Sequence, residues 1–132
     1  MQPDSKKIII LSDNVRLAIA IELNLCGRLG FETIVLAPDP DHCSQVNEEE
    51  EIDLVVVALS LPSSEPVVIL SRAGLAEHIG TVPLLIISER PFEPDQESQI
   101  HHLDFPFEAK VLRTRVTEIL GIPADLRQAL IH

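Results

Sequence analysis

Two kinds of apolar run alternate along the chain, one short and unbroken, the other spaced at helical intervals. Ile8, Ile9, Ile10 and Leu11 follow one another without a polar break, and Leu54 to Leu59 and Val82 to Ile87 repeat the pattern. Such runs predict strands covered on both faces, as in the centre of a parallel sheet. After the first strand the polar turn Ser12, Asp13, Asn14 offers helix-capping side chains. Val15, Ala18, Ile19, Leu25, Cys26 and Leu29 then recur at helical spacing until Gly30. Glu32 to Ala37 predicts the second strand, and Asp39 to about Asn47 a short, weakly apolar helix that runs into the acidic stretch Glu48 to Glu51. Pro66 stands near the start of a third helix carrying Val68, Ile69, Ala73, Ala76 and Ile79 and closed by Gly80. From Glu89 to His101 the pattern weakens, with Pro91 and Pro94, and with Ile100 as an apolar anchor, which predicts a short or irregular fourth helix. A brief strand around His102 to Phe105 leads through Pro106 to a last helix, Glu108 to Leu120, with Ala109, Leu112, Val116 and Ile119 on one face and Gly121 beyond its end.

Strands and helices in strict alternation imply right-handed crossovers, hence an α/β domain with a doubly wound five-stranded parallel sheet. The expected division is one domain over residues 1–122 and a short amphipathic tail over 123–132, with Leu126, Ala129 and Leu130 at helical spacing. No output domain is expected after that tail. In such sheets a functional crevice lies beyond the carboxyl ends of the strands. Here those ends are Ser12 to Asn14, Ala58 to Pro62, Ser88 to Arg90 and Phe105 to Pro106.

Composition narrows the class of partner. A net charge of −11 repels phosphate backbones and anionic lipid, so nucleic acid and membrane are excluded as expected partners and another protein is favoured. The four aromatic residues are all Phe, which supplies little stacking surface for bases. Cys26 and Cys43 form no C-x-x-C pair and read as small buried hydrophobes in a reducing cytoplasm. Met1 to Lys7 is polar and no secretory leader is visible, nor does any uncharged apolar stretch reach the roughly 18 residues needed to cross a bilayer.

Five stretches together carry a family resemblance: IIILSDN ending the first strand, LGFE before the second, DLVVVALSLP through the third, VPLLIIS at the fourth and FPF after the fifth. Over about Lys6 to Leu120 the chain resembles the receiver domain of bacterial two-component response regulators, a flavodoxin-like fold. The resemblance places the family's magnesium-holding acidic pair on Ser12 and Asp13, its phosphoacceptor aspartate on Ala58 and its conserved hydroxyl on Ser88. It places the pocket lysine on Phe105 and the switch aromatic on His102. The span between strands four and five is shorter than the family's. A methyl group cannot attack phosphorus, and one carboxylate without phosphate is a poor magnesium site. The expectation is therefore a degenerate phosphoacceptor pocket of Ser12, Asp13, Ala58, Ser88 and Phe105, with Ser88 and His102 at the switch positions. No catalytic residue, metal or cofactor is expected. Losing both the aspartate and the lysine avoids an unpaired buried cation, and Phe105 is expected to pack partly buried against strand three.

The chain is read as a phosphorylation-independent module that binds a signalling protein, with homodimerisation left open. Two alternatives stand beside it. A flavodoxin-like ligand binder or enzyme is opposed by the missing glycine-rich loop after strand one and by the lack of a nucleophile beside a base. A receiver phosphorylated at a non-standard carboxylate, such as Asp13, is opposed by the lost ligands. Other residue groups invite chemistry. His42 and Cys43 beside Asp39 and Asp41 are metal-ligand types, but consecutive residues rarely converge on one ion, and capping Asp with surface His is the plainer reading. His101 and His102 near Asp104 are neighbours in a strand and point to opposite faces. Glu48 to Glu51 reads either as a solvated helix end or as an acidic docking patch, and Asp13, Glu89 and Arg90 as a polar cluster or a loop ion pair. Ser60, Ser63 and Ser64 are loop hydroxyls open to a serine kinase.

Overall fold

The computed structural model describes residues 6–36, 52–60, 65, 68–70, 81–89 and 99–122. Five strands, β1 (Lys7–Ser12), β2 (Glu32–Leu36), β3 (Leu54–Leu59), β4 (Leu84–Ser88) and β5 (Ile100–Asp104), form one sheet in the order β2-β1-β3-β4-β5. Every neighbouring pair is parallel. Parallel pairing fits the sequence pattern, because β1, β3 and β4 carry their unbroken apolar runs into complete burial.

Strand alternation divides those runs between two core layers. Ile8, Ile10, Leu54, Val56, Ala58, Leu85, Ile87 and Leu103 face one layer, which α1 (Val15–Glu22) covers with Ala18 and Ile21, and α2 (Ala109–Ile119) with Leu112 and Val116. Ile9, Leu11, Val55, Val57, Leu59 and Leu84 face the other, where Ile69 and Leu70 of a helical turn at 68–70 pack.

α1 begins where the sequence placed its cap. Asn14 Oδ1 accepts from the amides of Arg16 (2.9 Å) and Leu17 (3.4 Å), satisfying donors that the first turn leaves open. The helix then widens into a π-helical stretch, Leu23–Arg28, and ends before Gly30 at φ 76°, a conformation glycine adopts without a Cβ clash. The buried face is Ala18, Ile21, Leu25 and Leu29; Val15, Ile19 and Cys26 are exposed, contrary to the expected stripe and to the reading of Cys26 as a buried hydrophobe. The reason lies in the helix itself, which is apolar almost all round from Val15 to Leu25, so periodicity alone does not select the face that meets the sheet.

Strand ends also differ from expectation. β1 runs one residue longer, to Ser12; β4 starts at Leu84 with Val82 as an isolated bridge; and β5 starts at Ile100, so Ile100 and His101 belong to the sheet and not to the fourth helix. Ile100 packs in one core layer and Leu103 in the other, and these two anchors hold the edge strand. α2 also buries Arg113, whose guanidinium Nη1 donates to Asn24 Oδ1 at 2.6 Å while Nε has no partner. Asn24 sits in the π-helical stretch and donates from Nδ2 to the carbonyl of Ala20 at 2.9 Å. Outside the described residues lie the expected helix at 39–47 with Asp39, Asp41, His42 and Cys43, the acidic run 48–51, the loop 61–64, most of the third helix, residues 90–98 and the tail 123–132.

Candidate functional site

Parallel register gathers the strand ends at one edge of the sheet. Ser12 lies opposite Ala58, Ala58 opposite Ile87, Leu59 opposite Ser88, and Ser88 opposite Asp104. Each side chain there is already engaged. Ser12 Oγ accepts from the amide of Asn14 at 3.1 Å, which folds the turn tightly back onto β1. One carboxylate oxygen of Asp13 accepts both the amide (2.8 Å) and the hydroxyl (2.9 Å) of Ser60, tying the end of β1 to the end of β3. Ala58 between them has no exposed surface.

Phe105 leaves β5 with its amide donating to the carbonyl of Ser88 at 3.1 Å. Its ring is half-buried against the core layer that holds Ala58, and it meets Phe107 edge to face with centroids 6.3 Å apart. Phe105 thus adds apolar surface beside the layer that holds Ala58.

Alternation along β4 sends Ile87 to the Ala58 layer and Ser88 to the opposite face with Leu59. There Ser88, itself buried, has Oγ 3.2 Å from His102 Nε2, and His102 Nδ1 lies 3.7 Å from a carboxylate oxygen of Asp104. The Arg115 guanidinium donates to the His102 carbonyl at 3.0 Å. His101 takes the other face of β5, and burial, assisted by the nearby Arg115 charge, lowers its imidazole pKa below the ordinary value.

The residues singled out in the sequence therefore fall into two groups. Ser12, Asp13, Ala58 and Phe105 border an apolar plug clamped by Asp13, while Ser88 joins His102 and Asp104 across the sheet. Ser60, read only as a loop hydroxyl, is the partner of Asp13. The register carries that signal, because residues just beyond β1 must meet residues just beyond β3. Glu89 is exposed and Arg90 lies outside the described residues. Among the described residues no three His, Cys, Asp or Glu side chains converge. A magnesium ion, which the resemblance implies, needs oxygen ligands that these residues do not offer. The oxygen of Asp13 already holds two hydrogen bonds, Ser12 is engaged with its own turn, and Ala58 presents a methyl group. The residues do not fit that ion.

Solved receiver domains match this chain over nearly their whole length. The receiver domain of the hybrid histidine kinase CckA is 23% identical, and the match spans 86% of this chain and 98% of that one with a TM-score of 0.61. The chain has the receiver-domain fold. A CheY-like response regulator receiver protein from Methanospirillum hungatei JF-1 is 16% identical, with 96% of this chain and 98% of that one matched and a TM-score of 0.65. An adenylate cyclase structure from Rhodopirellula baltica matches as well, at 14% identity, 89% and 88% coverage and a TM-score of 0.65. At these identities the likeness is one of receiver fold, which does not by itself settle function. No protein-family model and no curated protein matches the sequence.

Proposed function

We propose that this receiver-like domain works without phosphorylation, as a regulatory module that binds a protein partner in two-component-type signalling. The observation that carries the reading is the fully buried methyl of Ala58 at the end of β3, where the resembled family places its nucleophile. Aspartyl phosphate formation needs a carboxylate there. Phe105 supports the same reading, since an uncharged ring packs against the Ala58 layer where the resembled family places a lysine. We assign the domain no catalysis. The charge of −11 favours a partner with a basic face over nucleic acid, and a cytoplasmic location suits a chain whose Cys26 is a free thiol. Among the described residues no helix is long and apolar enough to cross a membrane.

The test is incubation of the purified protein with acetyl phosphate and magnesium, followed by intact mass measurement. The mass is expected to stay unchanged. A phosphoryl adduct that hydroxylamine removes, and hence one carried on a carboxylate, sinks the proposal.

A further inference from the structure

We propose that His102 is a proton-operated latch: uptake of a proton by its ring reverses the hydrogen bond that joins β5 to Ser88 of β4. Two contacts of the ring carry the idea. Ser88 Oγ stands 3.2 Å from Nε2 of the ring, and Asp104 stands 3.7 Å from Nδ1 on the far side. A carboxylate beside Nδ1 favours the neutral tautomer that carries its hydrogen on Nδ1, so Nε2 accepts and the Ser88 hydroxyl donates. Once the ring is protonated both nitrogens are donors. Nε2 then donates to Ser88 Oγ, the serine must turn its hydrogen to another acceptor, and the contact with Asp104 becomes an ion pair. Proton uptake at an edge strand is thereby felt inside β4, because Ser88 is only 7% exposed.

The groups around the ring set the balance. On β5, Asp104 shares its face, while His101 lies on the opposite face. From α2, the Arg115 guanidinium reaches the His102 carbonyl, and the ring itself is largely enclosed, its side chain being 12% exposed. From β4 come the uncharged Ser88 and, just beyond the strand, the exposed Glu89. A serine, histidine and aspartate in line activate a nucleophile in hydrolases. Here the serine is buried and the aspartate lies beyond hydrogen-bonding distance, so what is exchanged is a proton and nothing larger. The latch stands apart from partner binding and is tested without a partner.

The experiment is an NMR titration of the intact protein from pH 5 to 8, following the His102 ring and the Ser88 amide. Both signals are expected to move with one midpoint. Replacing His102→Phe should flatten the Ser88 response, with His102→Gln as a second variant that keeps a polar side chain of similar reach, and His101→Gln should leave that response in place. A Ser88 amide that does not titrate, or that titrates unchanged in both His102 variants, overturns the latch. So does a response that disappears with His101→Gln.

Discussion

One oxygen of Asp13 holds both the amide and the hydroxyl of Ser60, and this clamp is the polar counterpart of the apolar plug beside it. Asp13→Ala leaves the Ser60 amide without its acceptor. A loss of about 1.5 to 3 kcal/mol is expected, the range for hydrogen bonds to a charged group. Asp13→Asn keeps an acceptor oxygen and should lose less; urea midpoints of the two variants check this, and equal losses would assign the effect to something other than the clamp. Phe105 belongs to the same scale. Its ring is half-buried, so Phe105→Ala should cost about 1 to 3 kcal/mol, less than the roughly 3 to 5 of a fully buried phenylalanine, and an unmoved midpoint would mean that the ring does not plug the crevice. His101 gives a pH dependence whose sign follows from its lowered folded-state pKa. The unfolded chain takes up the proton first as pH falls through about 6.5, so this residue's stability is complete above that value and is lost as pH falls through the lower folded value. His101→Gln should therefore flatten the fall in stability on the acid side of pH 6.5, measured by urea denaturation at stepped pH.

The strands were legible as elements and the helices less so, for reasons that particular residues make plain. The short, β-branched runs at Ile8 to Leu11 and Leu54 to Leu59 favour buried strands, whereas α1 offers apolar residues on nearly every face and hides which one packs. Nothing in Leu23 to Arg28 announces a π-helical stretch, because its wider turn depends on what packs against it. Here α2 brings Arg113 to Asn24, 89 residues away in sequence. This junction makes a ranking prediction. Asn24→Ala removes the described acceptor of a buried guanidinium that already carries one unsatisfied Nε, and should destabilise by about 1.5 to 3 kcal/mol. Arg113→Met removes the charge and its orphaned donor together, and should be close to neutral or stabilising. Thermal unfolding of the two variants distinguishes them; if Arg113→Met is the worse, the buried cation has a partner that this account lacks.

For the molecule as a whole, alternation of apolar runs was enough to name the doubly wound sheet and to locate its carboxyl edge, since both follow from the order of elements. What it missed were pairings between distant segments, Asp13 with Ser60 and Ser88 with His102, which exist only once the register is set. Because an oxygen of Asp13 is engaged by the amide and hydroxyl of Ser60, millimolar magnesium should leave the melting temperature unchanged, and a rise would reveal a bound ion. The burial of Ala58 also limits what can replace it. An aspartate at this position alone would force a carboxylate into a buried site among aliphatic side chains and half-buried Phe105. Ala58→Asp should cost several kcal/mol, on the order of the penalty for a buried unpaired ion, and Ala58→Asp combined with Phe105→Lys should cost less than the two single changes summed. The two positions would then act as one unit, in which a charge at 58 calls for an opposite charge at 105.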